Sequence, residues 1–147
     1  PAVQAEGRLE HWQMAIKPGK PLAFGAVHRA DGSAALLLGL PGNPVSSFVT
    51  YLLCVTTVLR AMQGAPTALP AGLPARADFD WPRPDKRREF LRVRVNASGG
   101  LDLFPNQSSG VLTSAVWADG LVDNPSLQVI RRGDTVRFLP LAELIAR

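Results

Sequence analysis

"LPGNPVSSF", Leu40 to Phe48, decides how this chain is read. Before it lies a short continuous apolar run, "AALLLGL", the pattern of a strand covered on both faces. After it Val45, Phe48, Val49, Leu52, Val55 or Thr56, and Leu59 recur at helical spacing. Leu53, Cys54 and Val58 widen that apolar surface, so the helix is expected to be buried on more than one side. Asn43 is a favoured N-cap, and Pro44 suits the first helical position, where its missing N–H costs nothing. Gly64, with Pro66 just beyond, is placed to end the helix. The stretch therefore reads as a rigid turn from a buried strand into a buried helix.

No charged residue occurs between Asp31 and Arg60, an interval long enough to suggest a membrane span. The Gly-Pro turn divides it into a short run and a helix-length run, and neither fits a simple span of ~20 continuous apolar residues. Strand followed by core helix, with no membrane, is the expectation. Apolar residues make up 46% of the chain and charged ones 19%, which excludes a disordered segment. The formal charge of +4 suits a small anionic ligand, but the basic residues are scattered rather than striped, so no nucleic-acid partner is expected. A single cysteine, Cys54, permits no internal disulfide and points to a reducing, cytoplasmic location. The first residues, "PAVQAEGRLE", carry no signal peptide, and a start on proline suggests a piece of a longer chain.

Upstream, Trp12 to Ile16 and Leu22 to Val27 read as strands separated by "KPGKP", and "HRADGS" reads as a turn. The first part is thus expected to be alternating α/β. "GAPTALPAGLP" is a linker, and a domain boundary is expected near residue 70, giving units 1–70 and 71–147. Beyond it the period becomes two, with Leu91, Val93 and Val95 on one face and Arg92 and Arg94 on the other. "NASGG" is a hairpin turn and "LDLF" the return strand; "LQVI", "RRGD" and "TVRFLP" make a second hairpin. A small β-barrel or sandwich is implied.

A glycine turn feeding a capped helix offers unpaired N–H groups and the positive end of a dipole to an anion. Gly42 and Asn43 form that turn, and Ser46 and Ser47 add hydroxyls. Most such turns merely reverse the chain, and loop lysines are usually just solvated. Lys17 and Lys20 nevertheless flank a stiff Pro-Gly pair, and two such loops on neighbouring strand ends mark where open α/β folds bind ligands. His11 and His28 lie far apart with no carboxylate or cysteine cluster, so they read as ordinary histidines. Cys54 reads as a small core residue, and Trp12, Trp81 and Trp117 as packing residues.

"KPGKP", then "LPGNPVS", then "RREFLRV", then "NQSSGVLTSAVWADGL" together resemble the molybdopterin molybdenumtransferases, the MoeA family that includes the E domain of gephyrin. The resemblance spans nearly the whole chain. It implies the C-terminal portion of a three-layer α/β molybdopterin-binding domain followed by a small β-barrel, in a chain that dimerises. It also implies insertion of molybdate into adenylated molybdopterin with release of AMP, and a Mg2+ ion. The family's oxyanion site maps onto Lys17, Lys20, Pro21, Ser46, Arg87 and Ser109, with no side-chain nucleophile. Arg88 competes with Arg87 for the role, and Gly110 stands where the family often has a further serine. The family's upstream Thr-Gly-Asp and Ser-Gly-Gly segments are not in this sequence, so the metal ligands are expected outside it, in the remaining N-terminal portion. Alone the chain is expected to be inactive. A non-catalytic scaffold or dimerisation module binding partner peptides is the alternative the same resemblance leaves open.

Overall fold

The computed structural model of the 147-residue chain describes residues 7–68 and 70–146. Three strands, β1 (Gly7–Gln13), β3 (Pro21–His28) and β4 (Ala34–Gly39), form an antiparallel sheet in the order β1-β3-β4. The turn between β3 and β4 is the expected Asp-Gly one: Asp31 accepts from the Ser33 N–H (2.9 Å) and Gly32 takes a positive φ of 83°. Two expectations fail here. The "AALLLGL" strand is not covered on both faces, since β4 has no buried residue and Leu36 is exposed. The strand expected over Trp12 to Ile16 is split: β1 ends at Gln13, and the two-residue β2 (Ile16–Lys17) joins a different sheet. The cause is local: Met14 N–H turns back to the Lys20 carbonyl (2.8 Å), while Arg88 N–H reaches the Ala15 carbonyl (2.9 Å). The side chains of His11 and Trp12 lie outside the described part.

"LPGNPVSSF" opens a 19-residue helix, α1 (Pro44–Met62), whose middle turn, Tyr51–Val55, is a π-helical widening. By length and composition alone α1 is long and apolar enough to cross a bilayer, so the Gly-Pro break does not decide that point. Packing does. Val45, Val49, Leu52 and Leu53 are buried against Ile16, Phe90, Leu121, Leu139 and Leu144 in one cluster. The C-terminal end is a Schellman motif, with Ala65 N–H on the Arg60 carbonyl (2.9 Å), Gly64 N–H on the Ala61 carbonyl (3.1 Å), and Gly64 at φ 69°.

The remaining strands are β5 (Leu73–Arg76), β6 (Arg88–Val95), β7 (Leu101–Leu103), β8 (Gly120–Asn124) and β9 (Thr135–Pro140), with short helices α2 (Thr113–Trp117) and α3 (Leu141–Ile145). They order as β2-β6-β8-β9-β5, with β7 also on β6. Just past β5, Ala77 bridges Leu101 of β7 and Asp78 N–H bonds the Leu101 carbonyl (2.9 Å), so the path of strands returns on itself. Inside it lie Ala77, Phe79, Leu91, Val93, Leu101, Val122, Ile130, Val136 and Phe138. The "NASGG" turn forms as read, with Asn96 Oδ1 accepting from the N–H groups of Ser98 and Gly100 (both 3.0 Å). "LQVI" does not form a strand. Leu127 takes a positive φ of 61°, residues 125–129 are exposed, and only Ile130 pairs, in a single bridge to Trp81. The strand beside β9 is instead β8, "GLVDN", every residue of which is buried.

Candidate functional site

Four stretches far apart in sequence meet at the N-terminal end of α1. The first is the loop Lys17–Pro21. Its Lys17–Pro18 bond is cis and Gly19 sits at φ 117°. A Cβ on Gly19 would stand 2.5 Å from Thr50 Oγ1, so only glycine lets this loop lie flat on α1. The two lysines differ in freedom. Lys17 Nζ is held between Glu89 Oε1 (3.3 Å) and Asp85 Oδ2 (3.4 Å). Lys20 is exposed, and no ion pair engages it among the described residues.

The second stretch is the start of α1 itself. Asn43 occupies the N-cap position with extended backbone, but its side chain makes no capping bond, which corrects the expectation drawn from its type. Its Nδ2 instead donates to Ser109 Oγ (3.1 Å), and the Val45 N–H donates to the Ser109 carbonyl (3.1 Å). An orphan donor of the first turn is thus satisfied by a residue from across the fold rather than by the local cap. Ser46 is buried in this turn, and Ser47 Oγ donates to the Pro41 carbonyl.

The third and fourth stretches are Arg87, from just before β6, and Gln107–Ser109. Arg87 is fixed by Asp85 through Nε to Oδ1 (3.0 Å), Nη2 to Oδ2 (2.8 Å) and the backbone N–H (3.0 Å). This bidentate pairing holds the Asp85 carboxyl well below the usual carboxylate range and raises the Arg87 guanidinium. Glu89, almost wholly buried, accepts from Trp81 Nε1 (2.7 Å) and the Asp85 N–H (3.1 Å) as well as from Lys17. Arg88 points elsewhere, to Asp123 Oδ2 (2.7 Å) beside Arg137 (2.9 Å). Of the two adjacent arginines, Arg87 alone faces the lysine loop.

The result is a cleft of about 370 Å³. Lys17, Lys20, Pro21, Asn43, Ser46, Arg87 and Ser109 all line it, and Gly42 stays outside. Pro18, Gly19, Gln107 and Ser108 complete the wall. Gln107 was visible in sequence as the glutamine of the quoted "NQSSGVLTSAVWADGL" motif, and Ser108 only as a neighbour of Ser109. Of the two carboxylates that set the posture of Lys17 and Arg87, Glu89 lies inside the quoted "RREFLRV" motif, though its partners were not legible, and Asp85 gave no signal beyond its place in a charged run. Three cations, Lys17, Lys20 and Arg87, stand against these two carboxylates, leaving an excess of positive charge with hydroxyl and amide donors around it. Such a set binds and orients a small oxyanion by charge-assisted hydrogen bonds. It includes no activated nucleophile: Cys54 is half-buried, its Sγ touches Met14 Sδ (3.7 Å), and burial pushes its thiol up. For the magnesium ion that the resemblance implies, no three His, Cys, Asp or Glu side chains converge among the described residues.

Comparison with known proteins bears on the same segments. Residues 74–141 match the family model for the MoeA C-terminal region, domain IV. Molybdopterin molybdenumtransferase of Haemophilus influenzae is 30% identical over 95% of this chain and 35% of its own length. Over nearly its whole length the chain is similar to the C-terminal part of the molybdopterin molybdenumtransferases. The molybdenum cofactor synthesis protein cinnamon of Drosophila melanogaster is 35% identical over 81% of this chain and 20% of its own length. Among solved structures, the molybdopterin biosynthesis moeA protein of Pyrococcus horikoshii superposes with a TM-score of 0.68 at 25% identity, over 88% of this chain and 31% of that one. The sequence therefore spans about a third or less of these family members.

Proposed function

We propose that the cleft between the lysine loop, the start of α1 and Ser109 holds molybdate for insertion into adenylated molybdopterin, with release of AMP. On this reading residues 1–70 are the end of a molybdopterin-binding α/β domain and residues 71–147 the C-terminal β-barrel of a cytoplasmic, dimeric enzyme. The supporting observation is convergence: Lys17, Lys20, Ser46, Arg87 and Ser109, from positions as far apart as 17 and 109, line one small cleft with a net positive charge. A tetrahedral dianion needs donors on several sides at once, and the converging segments supply them here.

The role of these groups is positioning. Lys17, Lys20 and Arg87 attract the oxyanion, and the hydroxyls of Ser46 and Ser109 orient it for attack by the dithiolene sulfurs of the pterin substrate. Arg87, already fixed by Asp85 through Nε and Nη2, keeps its remaining N–H donors for the anion. Mg2+ and the pterin moiety find their ligands outside this sequence.

Isothermal titration of the 147-residue chain with sodium molybdate tests the reading, with sodium sulfate as the competitor. Saturable binding at one site, resistant to equimolar sulfate, is the expected result. A chain that is folded by circular dichroism yet takes up no molybdate removes the proposal. Binding of partner peptides in its place would favour the scaffold reading.

A further inference from the structure

Arg92 stands out in the interior. It is among the largest fully buried side chains, 1% exposed, and no carboxylate pairs with it among the described residues. Burial pulls its guanidinium down to about 10, so it stays protonated at neutral pH. A buried cation without a counter-ion is costly, and an apolar side chain of similar volume would ordinarily stabilise the fold more.

Its contacts indicate what the charge is used for. Nε donates to Ser114 Oγ (3.2 Å), Nη1 to the Phe90 carbonyl (3.1 Å), and Nη2 approaches the Ser108 carbonyl (3.5 Å). The Arg92 backbone is gripped from the same side. Gln107 Oε1 accepts from its N–H (2.9 Å), while Gln107 Nε2 (3.0 Å) and the Phe104 N–H (3.1 Å) donate to its carbonyl. Residues 104–114 are thereby fastened to β6 at one residue. The next residue along, Ser109, receives the Val45 N–H and the Asn43 amide at the start of α1.

We propose that Arg92 is a positioning residue of the oxyanion cleft: it sets where Ser108 and Ser109 stand against the start of α1, and, unpaired, it lends its positive charge to the anion bound there. This rests on the molybdate reading above. A guanidinium neutralised by a carboxylate would fasten the segment equally well but add nothing to the field in the cleft. The absence of a partner is what links Arg92 to the ligand rather than to stability alone.

The test uses the 147-residue chain with three substitutions: Arg92→Lys keeps the charge and loses the fork, Arg92→Gln loses the charge, and Ser114→Ala removes one acceptor. Sodium molybdate is the probe, and amide exchange of Val45, which reports the bond to Ser109, is the second readout. Molybdate affinity is expected to fall roughly tenfold in Arg92→Lys and further in Arg92→Gln, the range over which orienting partners act, with Val45 exchange quickened in both. A purely structural residue would lower the melting temperature while leaving affinity and Val45 protection, relative to the neighbouring helix, as they were; that result overturns the proposal. Should both Arg92 variants fail to fold, Ser114→Ala decides, and unchanged affinity with unchanged Val45 protection again overturns it. Should the unsubstituted chain bind no molybdate, the molybdate reading falls by itself. Val45 exchange in Arg92→Lys then still supports or refutes the positioning role.

Discussion

Lys20 and Lys17 carry the same charge three residues apart, yet only Lys17 is tied to carboxylates. Lys20→Ala should therefore weaken molybdate binding by about tenfold or more, the loss of one charge-assisted bond, with the melting temperature unchanged because the side chain supports nothing else. Unchanged affinity by titration would take Lys20 out of the site. Asp85 behaves oppositely. Its folded pKa lies below the ordinary 3.8, so its contribution to stability is present above that pH and is lost as pH falls through the folded value. Denaturant midpoints of the parent chain and Asp85→Asn should differ most above pH ~4 and converge toward pH 2, the gap shrinking in high salt because the group is partly exposed. A gap independent of pH would mean that the carboxylate charge is not what holds Arg87. At this scale the sequence was informative about residue types but not about pairing. Lys17, Lys20, Ser46 and Ser109 were legible from spacing and resemblance. The pairing of Lys17 with Asp85 and Glu89 was not, because Lys17 and Glu89 are 72 positions apart and the β2–β6 pairing joins them. Neither could sequence choose between Arg87 and Arg88; the start of β6 turns one to the cleft and the other to Asp123.

The elements repeat the lesson with backbone chemistry. The two ends of α1 were assigned by residue type, and they differ in how the structure uses them. Gly64 ends the helix at positive φ with nothing within 4 Å of a would-be Cβ, so Gly64→Ala meets no clash and should cost about 1 kcal/mol through backbone strain alone. Asn43 makes no capping bond, and Asn43→Ala should cost less than the ~1 kcal/mol of a true cap while loosening Ser109. Paired urea titrations compare the two directly, and an equal or larger loss for Asn43→Ala would mean that its amide caps the helix in solution. The π-helical turn at Tyr51–Val55 left no trace in the 3.6-residue period, since one added residue shifts the apolar face by less than the width of the stripe. "LQVI" misled for a related reason: β-branched and apolar residues suit a strand, but Pro125 and the left-handed Leu127 break the extended backbone before Ile130.

Over the whole molecule, what matters is which parts share a core. Val45, Val49 and Leu52 of α1 pack with Phe90, Leu121 and Leu139 of the strands and Leu144 of α3, so the helix and the C-terminal strands bury one apolar surface between them. The linker at residues 64–74 suggests a seam in composition that this packing spans. The β1-β3-β4 sheet is different: among its described side chains Leu22 is the one buried apolar residue. A three-stranded sheet with so little apolar cover is marginal by itself. Two behaviours should therefore separate. Helix content and Trp81 fluorescence should be lost together in urea, and Phe90→Ala, which removes a ring at the centre of the shared cluster, should move both midpoints equally at a cost of about 3–5 kcal/mol. Amides of β3 should exchange well before those of β6 and β8, although β3 is the central strand of its own sheet. If helix and strands melted apart, the cluster would not be a common core. If β3 were as protected as β6, something in solution would have to cover that sheet, and sedimentation of the same sample would then tell a second copy of this chain from intramolecular docking.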